Sequence, residues 1–286
     1  MRTAPAAAFA LFLAAAASAR SPFAFREAAP GSIELTESGK PVYVYNYGMM
    51  LGGGAPEDRR RCCYIHPVFA PDGTVLTDDF PSDHYHHRGI FWAWPIVRAG
   101  GESHDLWTIR GVRQRFVRWT SRKTEPSRAV LGIENGWFVG GRKIVKERVE
   151  IEALPASPHC RELRFALSFE ATGAPVELEG EPAESKGYGG LCVRFAPREQ
   201  TAITTSAGRE ARDFNMAQHP WAQLEAEFRG RRAGLRIDID PNNPGFPNGW
   251  CLRHYGFLGV NYPGLGKHQL EPGRPLVLRY TVTLFN

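Results

Sequence analysis

Leu163, Phe165, Leu167 and Phe169 are interleaved with Arg164, Ala166, Ser168 and Glu170, a two-residue alternation that constrains this chain more than any other feature. Successive side chains of an extended chain point to opposite faces, so this stretch reads as a half-buried strand. Similar short runs recur at Ile33 to Leu35, Val42 to Tyr47, Tyr64 to Phe69, Ile90 to Trp94, Arg113 to Trp119, Val130 to Ile133, Ile144 to Ile151, Leu191 to Phe195, Leu235 to Ile239 and Leu276 to Leu284. Ser38-Gly39, Pro71-Asp72-Gly73, Gly140-Gly141 and Pro272-Gly273 supply a fixed or positive φ where the chain must reverse. Helical periodicity is weak after the first twenty residues, with Pro220 to Phe228 read as one short turn of helix. Short strands at this spacing predict an all-β fold, a large antiparallel β-sandwich. Pro241 to Gly249 holds three prolines and is expected to be an ordered loop, either a cleft wall or a rigid connector.

The N-terminus has a different logic. Arg2, an apolar run from Ala6 to Ala16 and the small residues Ala17-Ser18-Ala19 form the pattern of a cleavable secretory signal. The run is shorter than the roughly 20 residues a spanning helix needs, so no membrane anchor is expected. Residues 1–19 are therefore read as signal peptide and residues 20–286 as one β-sandwich domain, periplasmic or secreted. The formal charge of +5 is spread over scattered basic residues, which does not fit a nucleic-acid partner. Arg59-Arg60-Arg61 reads as a solvated turn. Five cysteines in an oxidising compartment leave at least one unpaired. Cys62 and Cys63, if in a strand, point to opposite faces and do not pair. Cys160, Cys192 and Cys251 sit in apolar strand patterns and read as buried, inert thiols.

Chemistry concentrates in three places. In Asp83-His84-Tyr85-His86-His87-Arg88-Gly89, three of the nine histidines fall within four positions. Neutral imidazoles exchange protons near neutral pH or bind metals. An extended chain would put His84 and His86 on one face, with Asp83 and His87 on the other. No cofactor is assigned, and a divalent metal on His84, His86 and His87, completed by His66, His104 or Glu102, is an open alternative. Glycines then flank Lys186 and Tyr188, so Lys186 can polarise a carbonyl and Tyr188 can donate a proton or stack on a sugar. The third place is Arg253-His254-Tyr255, with Arg253 and Tyr255 on one face. Glu147, sharing a face with Val145 and Val149, is a candidate base raised by burial. Trp92 and other aromatics suit a carbohydrate cleft. No Gly-x-Ser-x-Gly elbow, HExxH helix, P-loop or dinucleotide fingerprint is present.

Cys63-Tyr64-Ile65-His66-Pro67, the stretch from Leu76 through Arg88-Gly89, Lys186-Gly187-Tyr188-Gly189-Gly190 and Arg253-x-Tyr255-Gly256 resemble the PmoA-like family of secreted bacterial proteins. The label is borrowed from a membrane-helix subunit of methane monooxygenase, which cannot share this strand pattern. The resemblance implies an exported protein acting on a sugar-derived substrate. The strand-only pattern and C-terminal strand are also similar to the galactose-mutarotase-like supersandwich, although the His-Gly-Gly element of aldose epimerases is absent. These observations together predict a carbohydrate-active lyase, isomerase or hydrolase. His84, His86, His87, Lys186, Tyr188 and Glu147 are the candidate catalytic residues, with His86 or His87 as general acid or base. Asp83, Arg88, Trp92, Arg253, His254 and Tyr255 are the candidate substrate-binding residues. A metal-dependent hydrolase or oxygenase and a non-catalytic carbohydrate-binding protein are the alternatives, and the oligomeric state is left open.

Overall fold

The computed structural model describes residues 21–52 and 54–286, so the expected signal segment lies outside the described residues. Twenty-two strands and two short 3-10 turns make up the regular structure there. No helix among the described residues is long and apolar enough to cross a membrane. One nine-stranded sheet runs in the order Phe23–Ala29, Ser32–Glu37, Lys40–Asn46, Tyr64–Val68, Ile90–Ala93, Gly190–Arg194, Phe257–Asn261, Gly249–Arg253 and Phe214–Gln218. The second runs Gly208–Glu210, Glu199–Thr205, Trp221–Phe228, Arg231–Ile239, Leu276–Phe285, Cys160–Ala171, Arg142–Ala153, Arg128–Val139 and Arg113–Glu125. A four-stranded sheet of Lys267–Leu270, Val176–Glu179, Ile96–Ala99 and Glu102–His104 completes the fold.

The two-residue alternation becomes the packing rule. In Cys160–Ala171, Leu163, Leu167 and Phe169 are fully buried, and the strand pairs with Leu276–Phe285 and Arg142–Ala153. Both neighbours are antiparallel, as expected of a sandwich whose strands each have one wet face. The two large sheets pack their apolar faces together. Trp94, just past a strand of the first sheet, lies 5.4 Å from Trp137 and 5.0 Å from Phe169 of the second, measured between ring centroids.

Several expectations are corrected. Pro220 to Phe228 is no helical turn, because Trp221–Phe228 is a strand. Ala222, Leu224, Ala226 and Phe228 are its buried positions, so period two prevails. Arg59-Arg60-Arg61 is not simply a solvated turn, since Arg61 is buried and donates to the carbonyls of Trp92 and Trp107. Cys62 and Cys63 do not lie in a strand. Cys63 has a φ of 66°, and the two Sγ atoms approach to 3.1 Å instead of pointing apart. Cys160 is exposed rather than buried. The proline loop is a rigid connector: Asn243 donates to the Arg279 carbonyl and accepts from the Arg279 N–H, which pins the loop to Leu276–Phe285.

Candidate functional site

The histidine segment is not extended. His84 N–H donates to the Pro81 carbonyl and His87 N–H to the His84 carbonyl, giving two successive turns. The extended reading, with His87 facing away from His84 and His86, is therefore corrected. The His84 and His87 rings stack in parallel, 4.6 Å apart with 1° between their planes, and His86 stands edge-on to both. Gly89 closes the segment against its neighbour, for a Cβ there would overlap the Ile65 carbonyl.

Arg88 explains why these turns hold. Its buried guanidinium donates to the Tyr85, His87 and Arg59 carbonyls and lies 3.4 Å above the Phe80 ring. Desolvation lowers its pKa to about 10, so it stays charged at neutral pH. Arg88 is thus a clamp beneath the turn and does not reach the cleft as a substrate-binding group.

Four neighbouring strands of the first sheet carry or lead into nearly every cleft residue. His84, His86 and His87 precede Ile90–Ala93, while Lys186 and Tyr188 precede Gly190–Arg194. Cys251 and Arg253 lie on Gly249–Arg253, Tyr255 on the turn after it, and Phe257 on Phe257–Asn261. Trp107 arrives from the four-stranded sheet's side. Together these residues surround a cleft of about 280 Å³. Tyr188 packs on Trp107, Tyr255 stacks on His84, and Phe257 stacks on His87. Trp107, Cys251 and Phe257 were not singled out from sequence as site residues, although Cys251 shares the alternating face that Arg253 marks.

The three imidazoles are not equivalent. Burial, the neighbouring imidazole of His84, and the charges of Arg61, Arg59 and Arg88 push His86 down to about 3. Burial followed by His86, His84, Arg194 and Arg88 holds His87 well below the ordinary histidine value. Both are neutral at neutral pH. His84 differs in having a carboxylate partner, with Nδ1 3.1 Å from Asp83 Oδ2. Asp83 is gripped in turn by Arg194 Nη2 at 2.8 and 2.9 Å. Burial alone would raise the Asp83 carboxyl, but the Arg194 hydrogen bonds and the nearby His84 imidazole, which approaches without hydrogen-bond alignment, outweigh it and hold Asp83 below the usual carboxylate value. Burial also lifts the Cys251 thiol to about 11, which removes it as a thiolate nucleophile at neutral pH.

Metal binding by the cluster meets a geometric obstacle. Imidazole lone pairs lie in the ring plane, so the parallel rings of His84 and His87 do not aim theirs at one point. Among the described residues, no group of three or more His, Cys, Asp and Glu is arranged to hold a metal ion. The expected extra ligands are elsewhere: His66 lines a different cavity, and His104 sits 3.9 Å from Glu102 on the four-stranded sheet.

Glu147, Trp92, His254 and Asp83, also expected at the site, do not line the cleft. Glu147 does point inward with Val145 and Val149, yet it faces the space between the sheets. Its carboxylate accepts from Gln114 Nε2 at 2.9 Å, Asn135 Nδ2 at 2.7 Å and Trp137 Nε1 at 2.6 Å. Burial raises its pKa, and it is not among the residues that line the cleft. Trp92 is fully buried in Ile90–Ala93 and belongs to the core. His254 lies just outside, its Nδ1 2.8 Å from Asp213 Oδ1, in an adjoining cavity of about 520 Å³ that shares Tyr255 with the cleft and includes Asp83.

A larger cavity, about 570 Å³, lies between Thr74, Thr77, Phe228 and Arg231 and offers a single imidazole, His66. Size does not make it the site: its other ionisable groups are Asp78, Arg229 and Arg231, and Phe228 is its one aromatic ring besides His66, against four in the histidine cleft. Burial and then the Arg88 charge lower His66 to about 4, below the 6.5 of an unperturbed histidine. A depressed folded-state pKa means stability present above about pH 6.5 and lost as pH falls toward 4. The difference in unfolding free energy between wild type and His66→Gln is therefore expected to be flat above that window and to shrink through it. Urea denaturation at a series of pH values measures this slope.

Comparison with known proteins adds a family. Similar solved structures include a galactose mutarotase related enzyme from Lactobacillus acidophilus, at 7% identity and a TM-score of 0.39 over 92% of this chain and 97% of that one. A GalM/aldose epimerase homologue from C. elegans matches at 8% identity and 0.38, over 92% and 98% of the two chains. A heparinase III gene product matches at 11% identity and 0.39 over 93% of this chain, which spans only 35% of that protein. No curated protein matches the sequence. The family model that does match is described differently from the PmoA-like label that the motifs resemble. Residues 32–286 match the model of DUF6807, a family of unknown function, and the chain belongs to that family.

Proposed function

We propose that this is an exported enzyme whose cleft binds a sugar ring and removes a proton from one of its carbons, with His84 as the proton carrier. The observation that carries this reading is the convergence of three imidazoles, four aromatic rings, Lys186 and Arg253 on one cleft of about 280 Å³. Aromatic faces suit the apolar faces of sugar rings, and a few placed polar groups fix orientation.

The roles follow from the contacts. Asp83 Oδ2 lies 3.1 Å from Nδ1, not aligned as a hydrogen bond, and its negative charge favours the tautomer protonated there, which leaves Nε2 of His84 with its lone pair as the base. Asp83 is a positioning residue. When the C–H bond next to a carbonyl or carboxylate breaks, the proton passes to Nε2 and the electron pair moves onto the oxygen. The Lys186 ammonium stabilises that oxyanion. Return of the proton gives isomerisation, and departure of a neighbouring oxygen gives elimination. His86 and His87, held neutral, serve as hydrogen-bonding walls, so the general acid or base is assigned to His84 instead of to them.

The exported location rests on the leader pattern at Arg2 to Ala19. A sugar-binding protein without turnover is the second reading, favoured by the two depressed imidazoles. Tyr255, 40% exposed at the cleft mouth, provides the test. Calorimetric titration and turnover assays with neutral and oxidised sugars should show Tyr255→Ala raising KM by about tenfold with kcat kept, from loss of a stacking face. If no sugar binds the wild type, or Tyr255→Ala binds as tightly, the sugar cleft is wrong. Binding without any turnover supports the second reading.

A further inference from the structure

The cleft contains an electrostatic asymmetry that bears on what kind of sugar enters. Its lining holds Lys186 and Arg253 and, among the described residues, no Asp or Glu. Arg253 is held by neutral acceptors only: Nη1 donates to the Phe214 and Leu252 carbonyls and Nη2 to the Asn215 side chain. Among the described residues, no carboxylate forms a salt bridge with that guanidinium. Lys186 Nζ does meet Glu184 at 3.2 Å, but the Glu184 side chain is 77% exposed at the rim. An exposed pair of this kind contributes only about 0–1 kcal/mol and exchanges readily for another anion.

Other carboxylates nearby are already engaged. Asp83 is held by Arg194 and lies against His84, Glu181 accepts from the Tyr188 hydroxyl at 3.3 Å, and Asp213 accepts from His254. The buried Arg61, hydrogen-bonded to the Trp92 and Trp107 carbonyls and the Gln114 side chain, adds positive charge, whereas that of Arg88 is partly offset by Asp79, 3.4 Å from its Nε. Burial and the His84 imidazole come first in lowering His86, and the charges of Arg61, Arg59 and Arg88 act in the same direction.

We propose that the ligand of this cleft is an acidic sugar, a uronic or aldonic acid whose carboxylate sits between Lys186 and Arg253. The proposal rests on the sugar reading and narrows it. It also fits the chemistry, because a carboxylate held by cations acidifies the C–H beside it, and His84 is the base in the same cleft.

The test is calorimetric titration of the mature protein with sodium D-galacturonate and D-glucuronate against D-galactose and D-glucose. The acids are expected to bind at least about tenfold tighter at about 0.05 M salt, with the preference shrinking strongly at about 0.5 M. Lys186→Gln, a change at a partly exposed side chain, should bring the acid-to-neutral affinity ratio close to one. Arg253→Gln should do the same, and Lys186→Gln keeps the test sound if the Arg253 variant misfolds. Equal affinity for acid and neutral sugars overturns the acidic-ligand proposal and leaves the sugar cleft standing. An acid preference untouched by Lys186→Gln also overturns it. Binding of none of the four sugars, at either salt concentration, overturns this proposal and counts against the sugar reading beneath it.

Discussion

Glu147→Ala is expected to lower the free energy of unfolding by on the order of 3–5 kcal/mol, the range seen when one partner of a buried polar or ionic set is deleted. Three donors point at that carboxylate, from Gln114, Asn135 and Trp137, and all three residues are buried. Removing the acceptor leaves Gln114 Nε2 and Trp137 Nε1 without a partner at roughly 1–3 kcal/mol each, while Asn135 Nδ2 keeps the Tyr45 hydroxyl at 3.0 Å, and it opens a void as well. Glu147→Gln should cost much less, since its carbonyl oxygen still accepts two of the bonds. Urea denaturation of the three proteins measures the difference. A loss under about 1 kcal/mol for Glu147→Ala would show that the network can close over the gap. The same substitution should leave sugar affinity nearly intact, because Glu147 does not line the cleft.

His84→Ala is expected to reduce kcat by about 10²–10⁴ with little change in KM, the usual contribution of a positioned general base. Asp83→Asn should act through His84 and lower kcat by a smaller factor, since an amide can support either tautomer of the ring. Rescue of His84→Ala by added imidazole separates loss of a proton carrier from loss of structure. His86→Ala should instead raise KM, because a neutral wall residue touches the bound sugar without taking its proton. If His84→Ala and His86→Ala had the same kinetic signature, the difference drawn from the Asp83 contact would be wrong.

The strand pattern was legible because its signal is local. Leu163, Phe165, Leu167 and Phe169 point the same way in any extended chain, and the buried face of Cys160–Ala171 follows from their spacing alone. Trp221–Phe228 was misread because its inward residues include the small Ala222 and Ala226, which weaken the alternation. Pairing order is a long-range matter. Nothing near Ile90 announces that Gly190–Arg194 lies beside it.

The candidate site was legible to a similar depth. Residues His84, His86, His87, Lys186, Tyr188, Arg253 and Tyr255 were chosen for chemical type, and the fold brings them to one cleft. Their orientation was not legible, because it depends on the turns at Pro81 and His84 and on Arg88 beneath them. Arg88 itself looked like a ligand-binding charge, and only its burial under the Tyr85 and His87 carbonyls shows it as a clamp. Glu147 was correctly turned inward, but a strand's period cannot say whether inward means a cleft or the space between two sheets. Asp83 was placed near the site, yet its pairing with His84 arises from a turn that the extended reading excluded.

Proton abstraction by His84 from a bound sugar is the central claim, and deuterium exchange followed by proton NMR tests it most directly. A sugar shown to bind by calorimetry is incubated in D2O with wild type, His84→Ala and His86→Ala. The account predicts that the wild type replaces the hydrogen beside the carbonyl or carboxylate, that His86→Ala at saturating sugar still does so, and that His84→Ala does not. If the wild type left every carbon-bound hydrogen of every bound sugar in place, or His84→Ala exchanged as fast as wild type, the assignment of His84 as proton carrier would be contradicted.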